Sequence, residues 1–288
     1  SGHAITYKAV VPRPYWQSEA RSRRSESLQI YFANVTSWSQ KAEEYLTTPS
    51  TSMQSSHVVA IAEHHKKGDG LVQMVKRLRK HSWSVTAVEA ARTGTAQVRE
   101  GQGHGGVMVG ARTHLHQRGL TAECKAEVQR EEHAGLVTQW TARVMRTRGR
   151  DVLVVVIYLA PGLGLDGTNW TTLVELATYL RSCGLPFLAV GDYNVEIDKL
   201  MPIGLHSFLG AGWVRPEGPV PGGHRPIDLV LASSVISRSL RVDWDLNGPW
   251  ADPHTGFVIE LPRSVAQLRT RMIRQPMACS DAMGPDRS

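Results

Sequence analysis

Cysteine is scarce in this chain: three in 288 residues, Cys124, Cys183 and Cys279. An odd number at wide separation forms neither a disulfide framework nor a zinc-ligand spacing, so a reducing compartment is expected. Long apolar runs are missing as well. The longest, Val152 to Pro161, suits a buried strand and is too short for a membrane-spanning helix. The first residues, SGHAITYKAV, lack the basic start and apolar core of a signal peptide. A soluble, intracellular protein is expected, with a nuclear location open. Charge is thin at 20% of residues and forms no long block of one sign, while 41% are apolar. That balance excludes a mainly disordered or fibrous chain. No repeat appears at a period of roughly 20–50 residues, which excludes solenoids and propellers.

What is present leans basic. Thirty-three Lys and Arg against 26 Asp and Glu give a net charge of +7. The excess lies in clusters at Arg21, Arg23 and Arg24, at Lys76 to Lys80, at Arg143 to Arg150 and at Arg263 to Arg274. Each reads first as a solvated face or tail. Together they favour a polyanionic partner, with no membrane partner expected and no protein partner deducible.

Residues 1–26 read as a loose basic arm, 27–262 as a single folded domain, and 263–288 as a polar basic tail or linker. Strand and helix signals alternate within the domain. LQIYFAN (28–34) and VVAIA (58–62) are strands, the second apolar on both faces and therefore covered on both. Leu71, Val72, Met74, Val75 and Leu78 fall at helical spacing. Strands are expected near Trp83 to Glu89, at Val107 to Ala111, and at Leu136 to Val144 and Val152 to Leu159 around a TRGRD turn. The Gly-rich GQGHGG loop (101–106) serves to turn the chain into the strand at Val107. A helix from Trp170 to Cys183 stops at Gly184, followed by PFLAV and by strands at Ile227 to Ala232 and Phe257 to Leu261. About nine strands and three helices, with both hairpins and helical crossovers, imply an α/β layered sandwich.

Polar residues sit where these strands end: Asn34, Glu63, Tyr158, Asp192 with Asn194, and His254 just before the last strand. Strand ends in layered α/β folds are where loops gather chemistry on a rigid scaffold. Carboxylates with Asn oxygens suit a hard cation such as Mg²⁺. The histidines at 64, 65, 104, 114 and 116 read as exposed loop and strand-edge residues, because no zinc spacing accompanies them. Glu196 and Asp198 read as solvated helix-start residues.

The segments NVTSW (34–38), AEHH (62–65), YLAPG (158–162), GDYN (191–194), IDLVLAS (227–233) and PHTGFVIEL (253–261) resemble the endonuclease/exonuclease/phosphatase superfamily. GDYN after a buried strand is the most specific of them. The form of NVTSW is nearest in look to the endonuclease domains of non-LTR retrotransposons. The resemblance implies a DNase I-like αββα sandwich of two mixed β-sheets flanked by helices. It also implies a Mg²⁺-dependent enzyme, with Mn²⁺ a substitute, that hydrolyses DNA phosphodiesters as an endonuclease. On that resemblance Glu63, Asn34 and Asp252 hold the metal, and Asp192 orients or deprotonates water. Asn194 and Tyr158 contact the phosphate, and His254, oriented by Asp228, stabilises its developing charge. Arg225 and Trp213 are the candidate substrate contacts, Trp213 by stacking on a base, with core packing the default reading for Trp213 and Trp250. A phosphomonoesterase of small phosphate esters or phosphoinositides, or a catalytically impaired nucleic-acid-binding relative, would share these residues. The chain departs from the family at one point. Pro253 stands directly before His254, where the family has Asp, and Asp252 stands one residue early. In an extended segment such a shift turns a side chain to the opposite face.

Overall fold

The computed structural model describes residues 27–91, 104–115, 117–118, 139–146, 151–223, 225–250 and 254–262. The N-terminal arm, the C-terminal tail, His116, Cys124, Cys279, residues 147–150 of the TRGRD turn and Asp252 lie outside these residues.

Two six-stranded mixed sheets stack face to face. The first has the order β11-β12-β1-β2-β4-β3 and the second β5-β6-β7-β8-β10-β9. The first sheet comprises β1 (Ser27–Asn34), β2 (Val58–Ala62), β3 (Trp83–Val88), β4 (Val107–Arg112), β11 (Arg241–Trp244) and β12 (Phe257–Pro262). The second comprises β5 (Gln117–Arg118), β6 (Trp140–Arg146), β7 (Asp151–Tyr158), β8 (Phe187–Asp192), β9 (Ala211–Val214) and β10 (Asp228–Ser233). Each sheet is built on one parallel pair, β1 with β2 and β7 with β8, and the neighbouring pairs are antiparallel. A parallel pair needs a crossover, usually a helix. Here α1 (Gln40–Thr47) and α2 (Ser52–Ser55) serve the first pair, and the longer α4 (Gly167–Cys183) serves the second; α3 (Gly68–Lys80) links β2 to β3. Within the described residues, no helix is long and apolar enough to cross a membrane.

Strand alternation sorts the core into three layers. Val152, Val154, Val156 and Tyr158 of β7 face the other sheet, where they meet Ile30 and Phe32 of β1 and Val58 and Ala60 of β2. Leu153, Val155 and Ile157 point the other way, onto Leu173, Leu176 and Leu180 of α4. Tyr31, Ala33, Val59 and Ile61 likewise meet Leu46, Leu71, Met74 and Leu78 of the helices on the first sheet. Coverage on both faces is why VLVVVIY and VVAIA are apolar without alternation. The order helix, sheet, sheet, helix follows directly.

Twelve strands are present among the described residues, against about nine expected from residue patterns. The additional three, β5, β9 and β11, are all sheet edges. Two or four residues long, and half-buried where their burial is described, they lack the apolar run that marks a central strand. Helix α4 begins at Gly167, three residues before the expected start, and ends as expected with Gly184 left-handed at φ 59°.

Candidate functional site

Parity along the strands decides which polar groups can meet. Asn34 follows Ile30 and Phe32 at even spacing, Asp192 follows Leu188 and Val190, and Asp228 precedes Val230 and Ala232. All three side chains therefore point between the sheets. Because β1, β2, β7 and β8 are parallel within their pairs, Asn34, Glu63, Tyr158 and Asp192 lie at one end of the sandwich, and Asp228 pairs directly with Asp192. His254 arrives from the loop before β12, which runs antiparallel to β1. Seven of the expected site residues meet at this rim, some from each sheet.

GDYN shows how local sequence builds its share. Gly191 sits against β7 so closely that a Cβ there would lie 1.9 Å from the Ile157 carbonyl oxygen. Asp192 turns its carboxylate inward. Tyr193 turns outward into the helix-facing core, fully buried, with its ring 5.1 Å from that of Trp213. Asn194 adopts φ 47°, a left-handed conformation that Asn tolerates better than most residues. Its backbone N–H donates to Asp192 Oδ1 at 2.8 Å, and its side-chain NH₂ to Asp192 Oδ2 at 3.1 Å and the Leu159 carbonyl at 2.7 Å.

The site is one hydrogen-bonded network. Asn34 Nδ2 donates to Asp192 Oδ2 at 2.9 Å and lies 3.3 Å from His254 Nε2, while Asn34 Oδ1 accepts from the Thr36 N–H at 2.9 Å. The Tyr158 hydroxyl donates to Glu63 Oε1 at 2.6 Å. His254 Nδ1 lies 3.1 Å from Asp228 Oδ2, and its Nε2 lies 4.0 Å from Asp192 Oδ2. Thr36, Glu63, His65 and Asn194 all have positive φ, a cluster of unfavourable backbone of the kind that gathers at functional sites. Within this network Asn34 presents its NH₂ group to the carboxylates, because its oxygen closes the turn at Thr36, and Tyr158 directs its proton to Glu63.

Burial alone would raise the Glu63 carboxyl. Hydrogen bonds from His65, Tyr158 and Asn34 outweigh it and hold Glu63 at about 2. Burial and then the Asp228 charge push Asp192 up, partly offset by His254. Asp228 is raised by burial, against the pull of His254. Burial disfavours a charged His254, yet the bond to Asp228 and the charges of Asp228, Asp192 and Glu63 win, so the ring is an imidazolium at neutral pH. Tyr158, raised by burial and by Glu63, remains a phenol donor. The Glu63 and Asp192 carboxylates and His254 place donor atoms within 4.8 Å of one another. A protonated ring with Nδ1–H on Asp228 has no lone pair to offer, so the two carboxylates are the usable ligands. Three ionised carboxylates against one imidazolium would leave two negative charges among side chains that are 14%, 1%, 9% and 11% exposed. Such an excess is costly without a cation. The donor set therefore fits a hard divalent ion.

Two histidines of the AEHH segment are closer to the chemistry than their expected exposed positions. His64 is fully buried. Its Nε2 lies 3.0 Å from the Val88 carbonyl, its Nδ1 accepts from the Lys66 N–H, and burial lowers it to about 4, so the ring is neutral. His65 Nε2 lies 3.6 Å from Glu63 Oε1, a neighbour that sequence spacing did not reveal. The Gly-rich loop does more than turn the chain. Gly105 and Gly106 have positive φ and press on the rings of Tyr158 and His64, bracing both from behind.

Arg225 lies at the lip, 80% exposed by side chain, with its guanidinium 3.0 Å from Glu196. Glu196 itself stands at the start of the short helix Ile197–Leu200, as expected. Trp213 is not brought to the site. It pairs with Leu231, whose side chain faces α4, so the indole lies on the helix side of the second sheet. Trp250 packs with Tyr31 and Tyr45. A cavity of about 430 Å³ opens beside Asp228, lined by Arg215, Pro216, Val220 and Trp244 among others.

No protein-family model matches the chain, and no curated protein matches it. Solved structures do. The AP endonuclease LMAP from Leishmania major aligns over 82% of this chain and 88% of its own, at 13% identity and TM-score 0.60. The endonuclease domain of TRAS1, a telomere-specific non-LTR retrotransposon, aligns over 82% and 98%, at 15% identity and TM-score 0.56. The 3'-5' exonuclease NExo from Neisseria meningitidis aligns over 81% and 99%, at 15% identity and TM-score 0.54. The fold is thus the DNase I-like α/β fold of these structural neighbours.

Proposed function

We propose that the chain is a divalent-metal-dependent phosphodiesterase that cleaves DNA internally by in-line attack of water. The observation that carries this reading is the buried rim cluster, in which His254 and the carboxyl groups of Glu63, Asp192 and Asp228 face each other across the two sheets. Glu63 is the principal ligand for Mg²⁺ or Mn²⁺, with Tyr158 and Asn34 holding the carboxylates in register. When bound, the ion supplies Lewis-acid stabilisation of charge on the phosphate. Asp192, fixed by Asn34 and Asn194, orients the attacking water and accepts its proton. His254, kept charged by Asp228, donates from Nε2 to the phosphate oxygen on which negative charge builds. Asp252 is proposed as a further ligand from the loop before His254.

Nucleic acid is favoured as substrate by the net charge, by Arg225 at the lip, and by the cavity beside Asp228, where Arg215 and Trp244 offer a cation and one aromatic ring. The named activities of the structural neighbours point the same way; one of them was solved with a product DNA hairpin. Supercoiled-plasmid nicking tests the reading. Purified protein is expected to nick with Mg²⁺ or Mn²⁺, and to stop nicking in EDTA or as Asp192→Asn. Release of phosphate from small esters with the plasmid left intact would replace the endonuclease by a phosphomonoesterase. Inactivity on both would contradict an enzyme.

A further inference from the structure

The loop that carries His254 connects β11 to β12, and it is held at its neck and at its middle by one buried cluster. Asp245, only 5% exposed, follows β11, and its backbone N–H donates to the Gly256 carbonyl at 2.7 Å, closing the neck. Its Oδ2 accepts two phenol protons, from Tyr31 of β1 and Tyr45 of α1, each at 2.7 Å. Burial and then the Asp245 bond and charge raise Tyr45 to about 12, and Tyr31 is raised further, so both remain donors. Trp250, midway along the loop, returns its indole N–H to the Tyr31 hydroxyl at 2.8 Å and lies edge-on to the Tyr45 ring at 5.6 Å. Gly256 fits only because it has no side chain: a Cβ would stand 2.3 Å from the Tyr31 hydroxyl and 2.7 Å from the Trp250 nitrogen. His254 lies between these two anchors.

The partners of His254 belong to different sheets. Its loop is pinned to the first, while Asp228, which accepts from Nδ1, starts β10 of the second. The height of the loop over the rim therefore decides whether the ring spans the two. We infer that Asp245, with Tyr31, Tyr45 and Trp250, forms a clasp that positions His254 against Asp228 without touching substrate. A carboxylate satisfied wholly by phenols and a backbone N–H of its own loop, with Asn247 N–H at 3.3 Å from Oδ1, is a rigid part.

The kinetic arm of the test rests on the phosphodiesterase reading; the spectroscopic arm does not. In ¹⁵N-histidine-labelled protein the Nδ1 proton of His254, assigned by its loss in His254→Gln, reports the bond to Asp228. Asp245→Asn still accepts from the two phenols and is expected to keep this proton and the wild-type turnover. Asp245→Ala and Trp250→Phe are expected to shift it upfield or lose it to exchange. Plasmid nicking by those two should show kcat lowered about tenfold or more with KM within about twofold. If Asp245→Ala does not fold, Tyr45→Phe removes one donor from a half-buried position and is expected to move the same proton less far. An unmoved proton and unchanged kcat in the folded variants would overturn the clasp. Wild-type protein that nicks no plasmid would defeat the phosphodiesterase reading, and the proton would still decide this one.

Discussion

A side chain at Gly191 would collide with the backbone of β7, because the parallel pairing with Ile157 leaves no space above its Cα. Overpacking of a core costs about 1–3 kcal/mol, and contact with backbone cannot be relieved by a rotamer change. Gly191→Ala is expected to lower the thermal midpoint by at least ~5 °C, measured by differential scanning fluorimetry. His64 makes a different demand. Burial lowers it from the ordinary 6.5 to about 4, so between those values the unfolded chain binds the extra proton and the folded one does not. Stability attributable to His64 is complete above about pH 6.5, falls as pH drops through the window, and levels off near pH 4. The shift corresponds to roughly 3 kcal/mol. Urea unfolding in EDTA at pH 7.5 and 4.5 should show this loss, and His64→Gln, which keeps a donor and an acceptor but does not titrate, should flatten it. At the reacting groups, Asp192→Asn and His254→Gln are each expected to lower kcat by about 10²–10⁴-fold with the fold intact by circular dichroism.

The elements were legible in proportion to their burial. VVAIA, VLVVVIY and PFLAV declared themselves because both faces of those strands are covered, and α4 because Gly184 supplies its left-handed stop. The edge strands β5, β9 and β11 carry no such pattern: each pairs on one side only and runs for two or four residues. The site was legible for a related reason: Asn34, Tyr158, Asp192 and Asp228 stand at the ends of apolar strands, where parity aims them between the sheets. Three things were not legible. Trp213 lies on a short edge strand whose facing could not be read without its partner Leu231. The roles of Asn34 and Tyr158 depend on which neighbour takes each proton, a matter of spatial proximity. The Asp245 clasp depends on contacts across large sequence separations, and the approach of His65 to Glu63 on left-handed backbone at both residues. One loop element invites a direct check. Buried Asn169 at the start of α4 accepts from Ala160 N–H at 2.7 Å and donates to the Ala160 and Gly164 carbonyls, tying the loop after Tyr158 to the helix. Asn169→Ala leaves these groups unpaired and is expected to cost about 1–3 kcal/mol in chemical denaturation. Faster amide exchange at residues 160–165 should accompany it.

At the scale of the whole molecule, the two sheets repeat one pairing pattern, and the site exists only where their strand ends meet. The first contributes Asn34 and Glu63, the second Tyr158, Asp192, Asn194 and Asp228, and His254 crosses between them. The basic residues Lys76 to Lys80 are not part of this rim. Helix α3 runs back from the rim end of β2, and at its rise per residue Lys76 to Lys80 stand roughly 12–18 Å along the sandwich from its first residue, Gly68. DNA engaged at the site is therefore expected to lose affinity with salt through Arg225 and the lip, with Lys80→Ala changing the slope little. The central claim is that a cation held at Glu63 serves phosphodiester cleavage at this rim, and the most direct test is the Mn²⁺ dependence of plasmid nicking by wild type and Glu63→Gln. The account predicts that the variant needs at least about tenfold more Mn²⁺ for half-maximal rate. Identical half-saturation in the two proteins, or nicking that persists in EDTA, would contradict it.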